Sequence, residues 1–103
     1  MLLYCFGDEH LEVRAAAAIA AGQLLLEEAI DPLTALLEDD EPEVQVAAIQ
    51  SIGEIAGPEA ERVLTALLGR SERHLARAAQ ETLNGLRMLG VEYEDAGEGG
   101  DQP

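Results

Sequence analysis

The sequence predicts an all-α fold, a right-handed α-solenoid of about three stacked helix pairs. The first observation is a gapless internal repeat of 31 residues: shifting Val13–Leu37 by one period gives eleven identities in twenty-five positions. A second shift brings apolar residues onto the same positions once more. The second observation is the helical spacing of apolar residues within each period. The third is that only short segments separate the predicted helices, which makes neighbouring helices antiparallel.

Local signals mark where the predicted helices begin. Asp8 is expected to cap the first turn of the first long helix, because a short carboxylate accepts hydrogen bonds from the free N–H groups there. For the next long helix, Asp40 and Glu43 have the spacing of a capping box, and Pro42 fits the first turn, where its missing N–H costs little. The six predicted helices lie near 2–6, 9–24, 28–38, 41–56, 58–69 and 72–89.

One face of the first long helix is apolar at helical spacing, which predicts that this face is buried. Its residues are Val13, Ala17, Ala20, Ala21 and Leu24. The end of this helix is less clear than that of its equivalent in the second repeat. Where the second repeat has Gly57-Pro58, the first has Leu26-Glu27 at the end of a run of three leucines.

The 103 residues are enough for one small domain, predicted at 1–89. The stretch 90–103 has five acids, no base and almost nothing to bury, which predicts a disordered acidic tail. No run reaches the ~18 apolar residues of a membrane span and no signal peptide is recognised, so a cytoplasmic protein without a membrane partner is expected. The single Cys5 is interpreted as a small buried hydrophobe.

Acidic residues dominate the charge, with 21 Asp and Glu against 6 bases, all of them Arg, for a net charge of −15. Such a surface repels phosphate, which argues against nucleic acid as a partner. A lysine-free acidic composition resembles that of proteins from salt-loving cells, where salt screens self-repulsion, and this origin is our hypothesis.

The charge is also unevenly placed along the chain. Residues 1–61 carry fourteen acids and one base, a net of −13, whereas residues 62–89 carry five bases and two acids, a net of +3. Two interpretations stay open. Neighbouring layers of the stack compensate each other, or the positive end meets an acidic partner or the acidic end of another copy.

Three segments carry a family resemblance: EVRAAAAIAAGQL (12–24), DPLTALLEDDEPEV (31–44) and EVQVAAIQSIGEI (43–55). They resemble the short form of the HEAT repeat, including the HEAT-like repeats of phycobilisome lyase subunits, over about residues 1–89. The shared pattern is an Asp-rich turn, Val-Arg, two small residues, a Leu-Gly step and a Pro-Leu helix start. It is carried here by Asp8, Val13, Arg14, Ala17, Gly22, Pro32 and Leu33, and again by Asp39, Val44, Ala48, Gly53 and Leu64.

The chain departs from this pattern in the middle and at its ends. The Arg of Val-Arg is kept only as Arg14 and becomes Gln45 and Ala76, so an Asp–Arg ladder is expected to break after one step. The last helix has a polar side, which predicts a capped end. The first residues are apolar, which predicts either an N-terminally truncated member of a longer array or a homo-oligomer. The residues expected at a homo-oligomer contact are Leu2, Leu3 and Phe6.

The helices that carry Val-Arg have a second face, opposite the core, which the resemblance implies is the concave, partner-binding side of the solenoid. Ile19 and Val46 stand there where a solvated helix favours polar residues, which predicts an apolar ridge flanked by charge. Isolated exposed apolar residues are also ordinary, so this second interpretation stays open. The predicted partner-binding residues are Ala15, Ala16, Ile19, Gln23, Val46, Ala47, Gln50, Glu54, Arg77 and Glu81.

No residue pattern indicates catalysis, a metal or a cofactor. His10 and His74 lie 64 residues apart and form no spaced cluster with Cys5, and His10 is expected on the surface at a helix start. The favoured function is therefore a non-catalytic protein–protein interaction module that binds a protein or peptide on its concave face. Two alternatives stay open: a bilin-lyase-like chaperone subunit, which the resemblance suggests, and a self-associating assembly element.

The hypothesis of a salt-loving origin predicts how stability depends on salt. If the net charge of −15 limits the fold, raising KCl from about 0.1 to 2 M raises the thermal unfolding midpoint by several degrees, because salt screens the repulsion. Circular dichroism measures the midpoint. An uncharged osmolyte at the same osmolality is the control, since it acts without screening charge. A midpoint that is independent of KCl contradicts the hypothesis.

Overall fold

A computed structural model describes residues 3–88, with side chains for residues 5–86. The predicted tail at 90–103 lies outside these residues. Within them the chain forms helices and no strand. The α-helices are α1 (Leu11–Gln23), α2 (Ile30–Ala35), α3 (Pro42–Ile55), α4 (Pro58–Leu67) and α5 (Arg73–Met88), and the 3-10 helices are Leu3–Gly7, Glu27–Ala29 and Leu36–Glu38.

The helices stack in two layers. In one layer, α1, α3 and α5 pack side by side in that order. The other layer contains Leu3–Gly7, α2 and α4, each of which packs against the α-helix that follows it in the chain. Three helix pairs thus follow one another, which confirms the predicted all-α solenoid. None of the helices described is long and apolar enough to cross a membrane.

Residues at equivalent places in successive repeats build the core. Leu33 and Leu64, one period apart, are both fully buried, and so are Val44 and Leu75. Because the same kind of side chain recurs at the same place, each helix pair continues the core of the pair before it. The apolar period read from the sequence is therefore the period of the packing.

The segment predicted as one helix over 28–38 is divided in the structure. Only α2 has α-helical geometry, and a 3-10 turn lies on each side of it. Pro32 explains the late start, because it lacks the N–H that an α-helix would donate to the carbonyl of Glu28. At the other end, the N–H of Asp39 bonds the carbonyl of Leu36 at 3.0 Å, an i to i−3 contact that tightens the last turn.

The starts of α1 and α3 differ from the predicted caps. Their N-cap residues are His10 and Glu41, and neither side chain makes a capping hydrogen bond. Instead, the aspartates two residues before each N-cap accept a backbone hydrogen bond. Oδ1 of Asp8 accepts the N–H of His10 at 2.8 Å, and Oδ1 of Asp39 accepts the N–H of Glu41 at 2.9 Å. Asp8 therefore shapes the turn before α1, and Asp39, rather than Asp40, holds the start of α3.

Leu25 adopts a left-handed conformation, with a φ of 55°, just after α1. Its N–H bonds the carbonyl of Gly22 at 3.1 Å, and the N–H of Leu26 bonds the carbonyl of Ala21 at 3.2 Å. These two bonds form a Schellman motif, whose left-handed position usually holds glycine. Ala56, one period later, also has a positive φ of 61°. The helix end that is unclear in the sequence is therefore a definite turn, with a leucine where glycine is usual.

Replacing Leu25 with Gly is expected to stabilise the protein by about 1 kcal/mol, because glycine removes the steric cost of the left-handed conformation. The Leu25 side chain is 61% exposed, so little buried contact is lost. Urea unfolding measures the change. Leu24→Gly is the matched control, since Leu24 is 63% exposed but has a φ of −85°, and glycine should destabilise the protein there. Equal effects of the two substitutions would contradict the argument from strain.

Candidate protein interface

The predicted partner-binding residues hold equivalent places in three helices that pack side by side. Seven of the ten are exposed: Ala16, Ile19, Gln23, Gln50, Glu54, Arg77 and Glu81. Val46 is half-buried, and Ala15 and Ala47 are buried, each with 6% of its surface exposed. We call the surface formed by the seven exposed residues and Val46 the α1–α3–α5 face.

Ala15 and Ala47 are buried because they lie on the flanks where α1 meets α3. Ala15 is seven residues before Gly22 and on the same side of α1, and Gly22 lies directly against Ser51 of α3. Ala47 is four residues before Ser51, on the matching side of α3. Their small side chains let the two helices come close together. These alanines therefore shape the face but offer a partner almost no side-chain surface.

The α1–α3–α5 face changes in chemical character from one helix to the next. Ile19 on α1 is apolar and 44% exposed, Gln50 at the equivalent place on α3 is an exposed amide, and Glu81 on α5 is charged. Glu81 pairs with Arg77, and 3.5 Å separate Oε2 of Glu81 from Nε of Arg77. Because Val46 is half-buried, Ile19 is the main exposed apolar side chain of the predicted ridge.

Two exposed leucines add apolar surface at the C-terminal end of α1. Leu24 and Leu25 are 63% and 61% exposed. The prediction that Leu24 belongs to the core is wrong, because α1 ends at Gln23 and the following turn leaves the helical path. The apolar pattern did not predict either leucine to be exposed, although a run of three leucines at an expected turn is a signal of exposed apolar residues. With Ile19, they are three of the four large exposed apolar side chains among the described residues.

Arg14 joins the first repeat to the second through Asp39. Its Nε donates to Oδ2 of Asp39 at 2.7 Å, and its Nη2 donates to Oδ1 at 3.1 Å. Its Nη1 donates to the carbonyl of Asp8 at 2.8 Å, so the guanidinium also holds the turn of its own repeat. Burial raises the pKa of Asp39, but hydrogen bonds from Arg14 and from the N–H of Glu41 outweigh it and hold that pKa below its ordinary value.

The Asp–Arg contact is replaced at the next step of the stack, where the sequence predicts that it breaks. Gln45 holds the place of Arg14, and its Nε2 donates to the carbonyl of Leu37 at 2.8 Å. Its Oε1 lies 2.7 Å from Nε2 of His74, at the start of α5. A neutral amide and an imidazole thus join the second repeat to the third where two opposite charges join the first to the second.

Arg70 holds the place of Asp39 in the third repeat and reverses its charge. Its Nη1 lies 3.1 Å from Oε2 of Glu38, in the repeat before, and its Nε lies 3.0 Å from Oε1 of Glu72. Hydrogen bonds to Glu72 and Glu38 raise the pKa of Arg70. The contact with Glu38 favours the interpretation in which neighbouring layers compensate each other's charge, because it joins the basic part of the chain to the acidic part.

His10 and Cys5 have side chains of the kinds that bind metal ions. His10 is exposed at the start of α1, as expected, with its Nδ1 3.0 Å from Oδ1 of Asp8. Cys5 is half-buried and packs against the core. No group of three or more His, Cys, Asp or Glu in the described part of the chain is placed to hold a metal ion.

The segment expected to mediate self-association is only partly described. Phe6 has 8% of its surface exposed and belongs to the core of its own chain, so it offers little area to a second copy. Leu2 and the side chain of Leu3 lie outside the described residues. The homo-oligomer contact therefore stays a prediction for these two leucines.

The family model for HEAT repeats matches residues 1–84. The chain belongs to the HEAT-repeat family. Among solved structures it is similar to human deoxyhypusine hydroxylase in complex with glycerol, with a TM-score of 0.73 and 24% sequence identity. That match covers 94% of this chain and 35% of the hydroxylase, so this chain spans about a third of that protein, and the likeness shows the fold alone. No curated protein matches the sequence.

HEAT repeats stack into solenoids whose surfaces commonly serve protein interactions. In this HEAT-repeat chain, the helices with Val13-Arg14 and its equivalents are α1, α3 and α5, and they form one layer. The α1–α3–α5 face is therefore the candidate interface.

Replacing Asp39 with Asn is expected to lower the free energy of unfolding at pH 7 by about 1–2 kcal/mol, because it weakens the charge-assisted hydrogen bonds from Arg14. The pKa of Asp39 is lower in the folded protein than its ordinary value. Its carboxylate therefore stabilises the fold above the unfolded pKa, and this contribution is lost as the pH falls through the folded pKa. The difference between wild type and variant should be constant above pH ~5 and shrink below pH ~4.

Urea unfolding at a series of pH values measures this difference. Asp40→Asn is the matched control, because Asp40 is the next residue and is exposed, and it should change the free energy of unfolding by less than about 0.5 kcal/mol. The same loss in both variants, or a difference that does not narrow in acid, would show that the contact between Asp39 and Arg14 is not its source.

Proposed function

We propose that this chain is a non-catalytic protein-interaction module whose α1–α3–α5 face binds a protein or peptide. The proposal rests on the exposure of Ile19, a large apolar side chain that is 44% exposed on that face. Exposed apolar side chains surrounded by polar ones are what protein partners bury on association.

Polar residues give this face hydrogen-bonding capacity around Ile19. Gln23, one turn after Ile19, and Gln50 on α3 are exposed amides, which both donate and accept hydrogen bonds. Glu54, one turn after Gln50, is exposed and acidic. A partner suited to these groups presents an apolar side chain to Ile19, amide or backbone groups to the two glutamines, and a basic group to Glu54.

The proposed role is binding rather than catalysis. The solved structure reported above is a hydroxylase by name, but 24% identity over about a third of that protein supports a common fold and carries no activity to this chain. The bilin-lyase-like alternative stays a prediction. Phe6, the only Phe, Tyr or Trp among residues 5–86, is buried, so that part of the surface offers no such ring to a tetrapyrrole. The proposal includes a cytoplasmic location, which rests on composition.

Ile19→Glu is expected to weaken binding of a partner roughly tenfold or more, because it places a carboxylate where the partner buries an apolar side chain. Candidate partners are recovered from a cell extract with the wild-type chain as bait. The dissociation constant of each purified candidate is then measured by isothermal titration calorimetry with wild type and variants.

Leu68→Glu is the matched control for this experiment. Leu68 is also apolar and is 38% exposed, but it lies at the end of α4 in the other layer. The proposal requires a candidate that binds wild type and Leu68→Glu alike and binds Ile19→Glu weakly. If every candidate loses affinity with both variants or with neither, the α1–α3–α5 face is not the binding surface. Circular dichroism verifies that each variant is folded.

A further inference from the structure

Neighbouring repeats of this chain meet through the same two positions at both steps of the stack. A Cβ atom on Gly22 of α1 would lie 2.8 Å from Cα of Ser51 on α3. A Cβ atom on Gly53 of α3 would overlap Cγ2 of Thr82 on α5. Each step therefore joins a glycine face of one helix to a small-residue face of the next. Glycine is needed because the packing leaves no room for a Cβ atom.

The glycine face is not continued on α5. Asn84 holds the place of Gly53, and Gln80 holds the place of Ile49, which is fully buried on α3. Both polar residues are exposed, and Nε2 of Gln80 donates to Oδ1 of Asn84 at 3.0 Å. A further helix packed in the same way would meet the Asn84 side chain and bury this amide pair. The amide pair therefore prevents another repeat from packing on α5.

The small-residue face, in contrast, is intact on α1. Ala20 holds the place of Ser51, but Ala20 is half-buried whereas Ser51 has 1% of its surface exposed. Ala16 holds the place of Ala47, and Ala16 is exposed whereas Ala47 has 6% of its surface exposed. These differences mark the area that a helix packed on this side of α1 would cover. Both alanines are small enough for the close approach seen at Ser51.

Asp8 gives this side of the first repeat the negative charge that Asp39 gives the second repeat. It holds the place of Asp39, which receives Arg14 from the helix before it. The carboxylate of Asp8 bonds its near neighbour His10, and 37% of the Asp8 side chain is exposed. The net charge of −13 over residues 1–61 also favours the approach of an arginine.

We propose that the small-residue face of α1, formed by Asp8, Ala16 and Ala20, docks a helix of another HEAT-type repeat. The docked helix carries a glycine at the place of Gly22 and an arginine at the place of Arg14. It continues the stack beyond α1 with the geometry of the two steps already present. The amide pair of α5 prevents a second copy of this chain from taking that position, so the partner is a different, glycine-bearing repeat.

A converted copy of this chain serves as the probe. Ala76→Arg, Gln80→Ile and Asn84→Gly together give α5 an arginine and a glycine face, and Ala20→Glu blocks assembly of the probe with itself. Mixed with the wild-type chain, the probe is expected to form a 1:1 heterodimer, detected by light scattering and measured by calorimetry. Asp8→Asn or Ala20→Glu in the wild-type partner should weaken this complex roughly tenfold or more.

A matched probe that keeps Asn84 tests whether glycine is needed at this place. Its affinity for the wild-type chain should be lower than that of the first probe by roughly tenfold or more. Circular dichroism and cooperative thermal unfolding verify each fold. If the probe does not fold, a version without Gln80→Ile replaces it, because its changes in α5 are confined to exposed Asn84 and half-buried Ala76. The proposal is overturned if a folded probe forms no heterodimer at about 100 µM, or if Asp8→Asn and Ala20→Glu in the wild-type chain leave binding unchanged.

Discussion

The close approach of α1 to α3, and of α3 to α5, is the constraint on which the rest of this structure depends. At Gly22 and Gly53 the packing has no room for a Cβ atom, so the residues opposite, Ser51 and Thr82, are small as well. These close contacts lie at equivalent places in consecutive repeats. Buried leucines such as Leu33 can then recur once per period and still fill the same space.

Polar contacts between repeats differ from one step of the stack to the next. An ion pair of Arg14 with Asp39 joins the first repeat to the second, and a contact of Gln45 with His74 joins the second to the third. A buried leucine contributes about 1.5–3 kcal/mol, whereas a typical hydrogen bond contributes about 0.5–1.5 kcal/mol. Burial of apolar side chains therefore outweighs any single one of these polar contacts, and different polar side chains take equivalent places between the repeats.

The two ends of the molecule have surfaces of different polarity, and packing between repeats explains the difference. Where another repeat packs, a position is apolar and buried, as Ile49 is; where none packs, its equivalent Gln80 is polar and exposed. On α1 the places of Ala47, Gln50 and Ser51 are held by Ala16, Ile19 and Ala20, which are small or apolar, and Ile19 is exposed. The first repeat therefore holds Ile19, Leu24 and Leu25, three of the four large exposed apolar side chains among the described residues. It contributes Ile19 to the α1–α3–α5 face and Ala20 to the small-residue face.

The sequence by itself determined the all-α fold, its helix pairs and core positions such as Ala17 and Ala21, because periodicity and apolar spacing are properties of each repeat alone. It also identified the helices that share the candidate face. Only the tertiary structure decided that Ala15 and Ala47 are buried and that Leu24 is exposed. Burial at the flank or the end of a helix depends on how closely the next helix approaches and where the chain turns, and neither distance is contained in the pattern of one helix.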